Sequence, residues 1–153
     1  MNTFIAKPCD VIRTIDLAKT FIEDANLKGG FDPEHYKVEW ENLIESGIGK
    51  MILVEREDGK IVAGITALII KGINSGVSTC VETSWFSSPE LSEFARGLIS
   101  VRLMHALERL AVSSGAKIMA MGLINGYRDK SIRSLYEKFG FEKSEETWIK
   151  EIR

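Results

Sequence analysis

Two β-branched segments joined by a tight-turn sequence constrain the fold of this chain more than any other feature. Residues 51–55 and 61–70 are the two segments, and Asp58-Gly59 lies between them. Asp-Gly between two apolar runs is a strong hairpin signal, since these residues tolerate the backbone of tight hairpin turns. Residues 77–87 alternate loosely after a second turn sequence, which predicts a third strand. The middle of the chain is therefore expected to form a three-stranded antiparallel meander.

The segment before the meander has the apolar spacing of helices. A short opening strand is predicted at residues 4–7. Asp10 is then suited to cap a first helix, because its side chain can accept a hydrogen bond from a free backbone N–H. Asp32-Pro33 has the residue types of an N-cap and first helical position, so it predicts the start of a second helix.

The segment after the meander contains a long helix, a strand and a second helix. Apolar residues recur at three- and four-residue intervals from about residue 91 or 94 to residue 113, and Gly115 stands where a C-cap glycine belongs. Residues 116–123 are apolar between turn residues, as in a buried central strand. The next helix is expected to run to residue 138 or 139 and to end at Gly140. Residues 141–152 are expected to contain one or two closing strands.

This order of elements predicts an α/β fold in the loose sense, or α+β. The sheet is expected to be mixed but mostly antiparallel, with six to seven strands flanked by about four helices. No internal repeat or low-complexity segment interrupts the 153 residues. We therefore expect one domain over residues 1–153.

Composition argues against several classes of protein. The net charge of −2 and the pI of about 5.8 lack the basic footprint of a nucleic-acid binder. The longest apolar run, residues 61–70, would span about half a membrane, and no secretory signal is visible at the start, so a cytoplasmic protein is expected. Cys9 and Cys80 lack zinc-ligand spacing, and we expect two buried or half-buried free thiols and no metal site.

One short sequence motif near the end of the chain is the most specific pattern in the sequence. Residues 135–141 read Leu-Tyr-Glu-Lys-Phe-Gly-Phe. Leu135 and Phe139 share a helix face, Gly140 can adopt the left-handed cap, and Phe141 can begin a strand. A generic helix end that enters a strand would have the same features. Together with the order of elements, however, the word resembles the helix-to-strand signature of the GNAT N-acetyltransferase superfamily.

The junction between the third meander strand and the long helix carries the second match. The family has a Pro-acidic pair here, seen as Pro89-Glu90, and then a loop of the form Q/R-x-x-G-x-G/A. Helix register aligns residues 95–100 with that loop. Of the two positions where the family has glycine or alanine, only the last has a small residue here, Ser100. The resemblance implies that acetyl-CoA is the co-substrate and that Leu98 points inward. The phosphates of acetyl-CoA are expected to bind the backbone amides of Arg96, Gly97, Leu98, Ile99 and Ser100.

The resemblance also implies catalytic roles. Tyr136 corresponds to the family's general acid, although a tyrosine that packs the helix against the sheet is the alternative. Glu82 is the candidate general base, although a surface-facing glutamate is the alternative. Asp129 corresponds to a residue that binds the pantetheine arm, or it is the N-cap of its helix. A backbone N–H that polarises the acyl carbonyl is expected from Phe86, Ser87 or Ser88.

These features predict an N-acetyltransferase that acts on a primary amine of an unidentified small molecule or protein. The first two helices are expected to wall the acceptor site with Phe31, His35, Tyr36 and Trp40. A GNAT-fold binding or regulatory protein without catalysis is one alternative, and an α/β interaction module unrelated to CoA is another. Acetyl-CoA and an amine are the expected partners, without nucleic acid or membrane, and a homodimer is possible.

Overall fold

The computed structural model describes residues 1–124 and 129–144. The chain divides into two compact units, Met1–Gly122 and Leu123–Arg153, and the prediction of one domain stays a prediction. The elements of the first unit are β1 (Asn2–Ile5), a 3-10 helix (Pro8–Thr14), α1 (Ile15–Asp24), α2 (Pro33–Glu45), β2 (Gly49–Glu55), β3 (Ile61–Lys71), β4 (Ser78–Ser87), α3 (Glu93–Ser113) and β5 (Ile118–Ala120). The second unit contains α4 (Asp129–Lys138).

The sheet confirms the predicted fold class. Its order is β1-β2-β3-β4-β5, with antiparallel pairing from β1 to β4 and parallel pairing between β4 and β5. The described residues contain four α-helices and five strands, whereas six to seven strands were predicted. Residues 141–144 form no strand, and the rest of the predicted closing segment lies outside the described residues. The strand predicted at residues 116–123 covers only Ile118–Ala120.

Local turn and cap chemistry was predicted well. Gly59 has a φ of +81°, and Arg56 N–H donates to the Lys60 carbonyl at 2.9 Å across the hairpin turn. Asp32 caps α2, because one of its carboxylate oxygens accepts from the N–H groups of Glu34 and His35, each at 3.0 Å.

The first predicted helix is divided into two different helices. A 3-10 helix over Pro8–Thr14 precedes α1, and Asp10 lies inside the first of them rather than at a cap position. Its carboxylate accepts from Lys7 N–H at 2.9 Å. The prediction of Asp10 as the cap is therefore wrong, because Pro8 already supplies a first helical residue that needs no N–H partner.

The core lies where α3 packs against β2, β3 and β4. Its buried residues are Ile52, Val54, Val62, Ala63, Ile65, Ala67, Cys80, Leu91, Ile99, Leu103, Leu107 and Ala111. Within residues 1–124 and 129–144, no helix is long and apolar enough to cross a membrane.

Gly64 leaves the space that the aromatic ring of Phe86 occupies. A Cβ on Gly64 would lie 2.7 Å from two ring atoms of Phe86 and 2.8 Å from Cδ2 of Leu53. Phe86 is 1% exposed and Leu53 is fully buried, so neither side chain can move into solvent.

We expect Gly64→Ala to lower the free energy of unfolding by about 1–3 kcal/mol, because the added methyl group overpacks a buried site. Gly97→Ala is the matched control, since its Cβ would meet nothing within 4 Å and the residue is helical. The control should raise the free energy of unfolding by up to about 1 kcal/mol. Denaturant unfolding measures both changes, and equal effects of the two substitutions would contradict this account of Gly64.

Candidate functional site

β4 and β5 form a fork. β4 pairs with β3 along its whole length, from Lys71 opposite Ser78 to Ala63 opposite Ser87. Its pairing with β5 covers only Thr79, Cys80 and Val81, since β5 ends at Ala120. From residue 82 to residue 87, the second edge of β4 therefore has no partner strand among the described residues. Backbone N–H and C=O groups on a strand edge without a partner strand are the groups that an extended ligand can bind.

Glu82 lies at the point where the fork opens. It is the first residue of β4 beyond the β5 pairing, and its Oε2 accepts from Gly122 N–H at 3.0 Å, just after β5. The side chain is half-buried rather than surface-facing. Burial raises the pKa of Glu82 from the ordinary value of 4.5 to about 7, although the Gly122 N–H acts in the opposite direction. This carboxyl group therefore changes its protonation state near neutral pH.

Ser87 is the candidate whose backbone N–H points to the open edge. Ser88 N–H donates to the Val62 carbonyl of β3 at 2.8 Å. Consecutive N–H groups of a strand point to opposite edges, so Ser87 N–H points away from β3, while Phe86 N–H points toward it. Of the three residues predicted to supply a carbonyl-binding N–H, only Ser87 has that group on the fork side.

The predicted phosphate-binding loop is helical. α3 already begins at Glu93, and Ser92 Oγ caps it by accepting from Ala95 N–H at 3.2 Å. Arg96 N–H donates to the Ser92 carbonyl at 2.9 Å, and residues 97–100 continue the helix. The prediction of free backbone amides at residues 96–100 is therefore wrong, because the helix starts early enough to use these N–H groups itself.

The orientation predicted for Leu98 is also wrong. Leu98 is 59% exposed, whereas Ile99 is 6% exposed and belongs to the core. Ile99, Leu103 and Leu107 recur every four residues on the buried face of α3, which leaves Leu98 pointing outward. Arg96 and Ser100 are half-buried and Gly97 is exposed.

Two neighbouring hydroxyl residues on β4 were missed by the sequence analysis. Thr66 pairs with Ser84, but the next residue of β3, Ala67, pairs with Glu82, so Thr83 is an extra residue in β4. Thr66 Oγ1 lies 2.8 Å from Thr83 Oγ1 and 2.6 Å from Ser84 Oγ. A one-residue bulge cannot be recognised in the sequence, because its residues look the same as those of a regular strand. The sequence also gave no indication that Gly122 would contact Glu82.

The predicted aromatic wall of the acceptor site is only partly accessible. Trp40 is 9% exposed and belongs to the interior. Tyr36 is half-buried, its hydroxyl lies 3.0 Å from Thr14 Oγ1, and burial raises its pKa. Phe31 packs against Tyr36 with ring centroids 5.3 Å apart, and His35 is exposed.

The two thiols differ in environment. Both are free, but Cys9 is exposed, so the prediction of a buried or half-buried thiol is wrong there. Cys80 is buried, and burial, with a smaller contribution from Glu82, raises its pKa to about 11. Residues 1–124 and 129–144 contain no group of three or more His, Cys, Asp or Glu side chains that could hold a metal ion.

In the second unit, the end of α4 has the predicted glycine cap. Gly140 has a φ of +78°, its N–H donates to Glu137, and Phe141 N–H donates to Tyr136 at 3.0 Å. The ring centroids of Tyr136 and Phe141 lie 5.5 Å apart, which supplies the apolar contact of a Schellman motif. Phe141 thus packs back on the helix and begins no strand within residues 141–144. Asp129 is the first residue of α4, and the roles of Asp129 and Tyr136 stay predictions.

The raised pKa of Glu82 predicts a dependence of stability on pH. Because the folded state holds this proton more tightly than the unfolded chain, the stabilisation is complete below about pH 4.5 and is lost as pH rises through about 7. Glu82→Gln removes the titration and keeps an oxygen for Gly122 N–H. The free energy of unfolding of the variant, relative to that of the wild type, should therefore be higher at pH 8 than at pH 5. The increase between the two pH values should be up to about 3 kcal/mol.

Denaturant unfolding at pH 5 and pH 8 measures this difference. Glu57 is exposed, so Glu57→Gln is the matched control and should show no comparable pH-dependent gain. An equal pH response of the wild type and Glu82→Gln would show that Glu82 does not titrate abnormally.

No protein-family model matches this chain, and no curated protein matches it in sequence. Solved structures match over nearly all of it. An aminoglycoside acetyltransferase from an uncultured soil metagenomic sample is 21% identical, with a TM-score of 0.76, and the match covers 99% of this chain and 98% of that chain.

Two further structures were solved with ligands. A predicted acetyltransferase from Clostridium acetobutylicum, with acetyl-CoA, is 15% identical, with a TM-score of 0.78 and coverage of 99% and 95%. AAC(6')-Iy, in complex with the bisubstrate analogue CoA-S-monomethyl-acetylneamine, is 16% identical, with a TM-score of 0.75 and coverage of 100% and 99%. Likeness at these identities concerns the fold, and the chain has the fold of the GNAT acetyltransferase superfamily.

Proposed function

We propose that this protein is an N-acetyltransferase that moves an acetyl group from acetyl-CoA to a primary amine of a small molecule or protein. The observation that carries the proposal is the position and pKa of Glu82. Its carboxyl group lies where β4 and β5 separate, and its pKa of about 7 suits a general base that works near neutral pH. Structural neighbours that are acetyltransferases, one of them solved with acetyl-CoA, support the same reaction.

The open edge of β4 supports binding of the thioester end of the donor. The pantetheine arm of CoA is an extended chain that contains two amide groups, and such a chain can bind a free strand edge through main-chain hydrogen bonds. The edge from residue 82 to residue 87 offers N–H and C=O groups at strand spacing. When bound, the donor supplies an activated acetyl group.

The nucleotide end of the donor fits the described residues less well. The N–H groups of residues 96–100 are used inside α3, and Ser92 Oγ takes that of Ala95. The N–H groups of Glu93 and Phe94 have no hydrogen-bond partner among the described residues. With the guanidinium group of Arg96, they are the groups at the start of α3 that suit a phosphate.

Each proposed role uses a different chemical property. Glu82 takes a proton from the attacking amine, since only a neutral amine is nucleophilic. Ser87 N–H stabilises the negative charge that develops on the acetyl carbonyl oxygen. Tyr136 gives a proton to the departing thiolate, because an ordinary phenol is still protonated at neutral pH.

A GNAT-fold binding or regulatory protein without catalysis is the second candidate. One observation favours it, namely that residues 96–100 are helical, so their N–H groups are not free for the pyrophosphate. A protein of this kind would bind acetyl-CoA, or a different ligand, without releasing a thiol.

Turnover should depend on the ionisation of Glu82. In an assay of thiol release from acetyl-CoA with a panel of primary amines, kcat/KM should rise with pH and level off above about pH 7. The reason is that the carboxylate must be free of its proton to accept one. Glu82→Gln should lower kcat by about 10²–10⁴ and remove the rise of kcat/KM between acidic pH and about pH 7.

Binding measurements separate loss of chemistry from loss of the donor. Acetyl-CoA at 100 times its dissociation constant should raise the Tm of the wild type and of Glu82→Gln by about 5–10 °C each. Glu57→Gln should behave as the wild type. Stabilisation by acetyl-CoA without thiol release from any amine would favour the second candidate, and no stabilisation would contradict both CoA-binding functions.

Tyr136→Phe tests the proposed general acid. The substitution removes the phenolic proton and keeps the ring that packs against Phe141, so the free energy of unfolding should change little. Turnover should fall by about 10²–10⁴ while affinity for acetyl-CoA stays within a few-fold. Normal turnover in this variant would assign Tyr136 a packing role alone.

A further inference from the structure

The extra residue in β4 brings Glu82 and Trp85 to neighbouring positions on one face of the sheet. Across the β3–β4 pair, Ala67 lies opposite Glu82, and Ile65 lies opposite Trp85. Residues that lie opposite each other in an antiparallel pair point to the same face, and so do residues two apart in a regular strand. Ile65 and Ala67 are two apart in β3. Their partners Glu82 and Trp85 therefore share a face and are neighbours on it, although two residues separate them in the chain.

This face of the sheet is the one that α3 covers. Ile65 and Ala67 are both fully buried members of the core, and Trp85 packs against that core. Cys80, two residues before Glu82 in β4, belongs to the same core and is also fully buried. Along β4, Glu82 is therefore flanked by a thiol on one side and by an indole ring on the other.

The neighbouring strands add apolar side chains to this face. On β3, the residue opposite Glu82 is Ala67. On β5, Met119 pairs with Cys80, and both Met119 and Met121 pack against the core. The surroundings of the Glu82 carboxyl group on this side of the sheet are thus poor in polar groups.

The ionisation of Glu82 depends on water more than on neighbouring charges. Cys80 is the titratable neighbour on β4, and with a pKa of about 11 it is uncharged at neutral pH. β3 has one charged residue, Lys71 at its far end, and β5 has none. On α3, Arg96 is half-buried, and the other charged residues or histidines are exposed, namely Glu93, Arg102, His105, Glu108 and Arg109. Burial and the Gly122 N–H are the two causes that act on the pKa of Glu82, and no charged group of α3 is among them.

The two flanks of Glu82 differ in how far solvent can approach. On the Cys80 side, β4 is paired with β5. On the Trp85 side β5 has ended, so no strand among the described residues covers that part of the fork. Trp85 is half-buried and lies in this direction. On this face of β4, its indole ring is the next side chain between the Glu82 carboxyl group and the open part of the fork.

We propose that Trp85 is a positioning residue for Glu82, whose indole ring keeps water from the carboxyl group and holds it in an apolar site at the fork. A carboxyl group that lies against an aromatic ring loses part of its hydration, which disfavours its charged form. The inference rests on the proposed function where it concerns catalysis. There it explains how Glu82 stays a strong enough base to take a proton from an amine.

The probe is the carboxyl carbon of Glu82, whose ¹³C NMR shift is followed against pH and requires no turnover. In the wild type, the titration midpoint should lie at about 7. Trp85→Thr removes the ring and should lower the midpoint to between about 5 and 6, because water then solvates the carboxylate. Trp85→Phe keeps an aromatic ring and should leave the midpoint within about half a pH unit of the wild-type value.

Val81→Thr is the matched control. Val81 is half-buried and directly precedes Glu82 in β4, so its side chain points to the opposite face, and the midpoint should not change. Trp85→Gln is a second polar variant in case Trp85→Thr does not fold, and it should lower the midpoint in the same direction. In the unmodified protein, NOEs between the indole ring and the methylene protons of Glu82 test the contact without any substitution.

The outcomes separate this inference from the proposed function. An unchanged midpoint in a folded polar variant, an equal fall in Trp85→Phe, or the absence of these NOEs would overturn the role of Trp85 even if acetyl transfer occurs. A midpoint that falls in the polar variants alone would support that role even if no amine is acetylated, and then the proposed function alone would fail.

Turnover gives a second readout wherever an amine is acetylated. In Trp85→Thr, the pH at which kcat/KM levels off should fall together with the midpoint, and the plateau should drop by up to about tenfold because the base is weaker. Val81→Thr should keep the wild-type profile. A loss of turnover in Trp85→Thr without any change in the pH profile would indicate a packing defect and would contradict the positioning role.

Discussion

The pairing of β4 with β3 fixes the positions of the candidate catalytic groups on β4, which are the Glu82 carboxyl group and the Ser87 N–H. It runs the full length of β4, and it is anchored by a core in which α3 covers the neighbouring strands. Because one edge of β4 is fully used by β3, the opposite edge is free to diverge from β5 without loss of the strand. The fork is thus a consequence of unequal strand length, since β5 has three residues and β4 has ten.

Glu82 experiences two opposing effects at this fork. Burial disfavours its charged form, while the Gly122 N–H favours it, and burial is the larger effect. A fully exposed glutamate would hold no proton at neutral pH, and a deeply buried one without a donor would rarely lose it. The half-buried position with a single N–H donor brings the pKa between these limits, where a carboxyl group can exchange protons during a reaction.

Features set by local chemistry were predictable from the sequence. Asp58-Gly59, Asp32-Pro33 and Gly140 each specify a turn or cap through their own backbone preferences, and all three form as predicted. The order of elements also followed from local patterns, and it led to the correct fold class.

Features set by pairing or competition were not predictable. The bulge at Thr83 depends on how β4 aligns with β3, which apolar alternation does not encode. The start of α3 at Glu93 agrees with the apolar pattern, which predicted a start at about residue 91 or 94, but the family pattern placed a phosphate-binding loop at residues 95–100, and these residues are helical. The loop alignment is what led Leu98 to be expected inside, whereas the helix register places Ile99 there.

Under the proposed function, the thioester end and the nucleotide end of the acyl donor would depend on different physical constraints in this chain. A strand edge binds an extended amide chain with its backbone, so changes of side chain leave that property intact. A phosphate site at a helix start needs N–H groups that the helix has not used, and these lie in the first turn, so the residue at which the helix begins decides which amides are free. Among the residues that the structure describes, the N–H groups at the start of α3 without a partner are those of Glu93 and Phe94, and the Glu93 side chain repels anions. Under the proposed function, the open edge of β4 would therefore hold the thioester end of the donor with backbone groups, while the start of α3 would offer fewer of them to the phosphates.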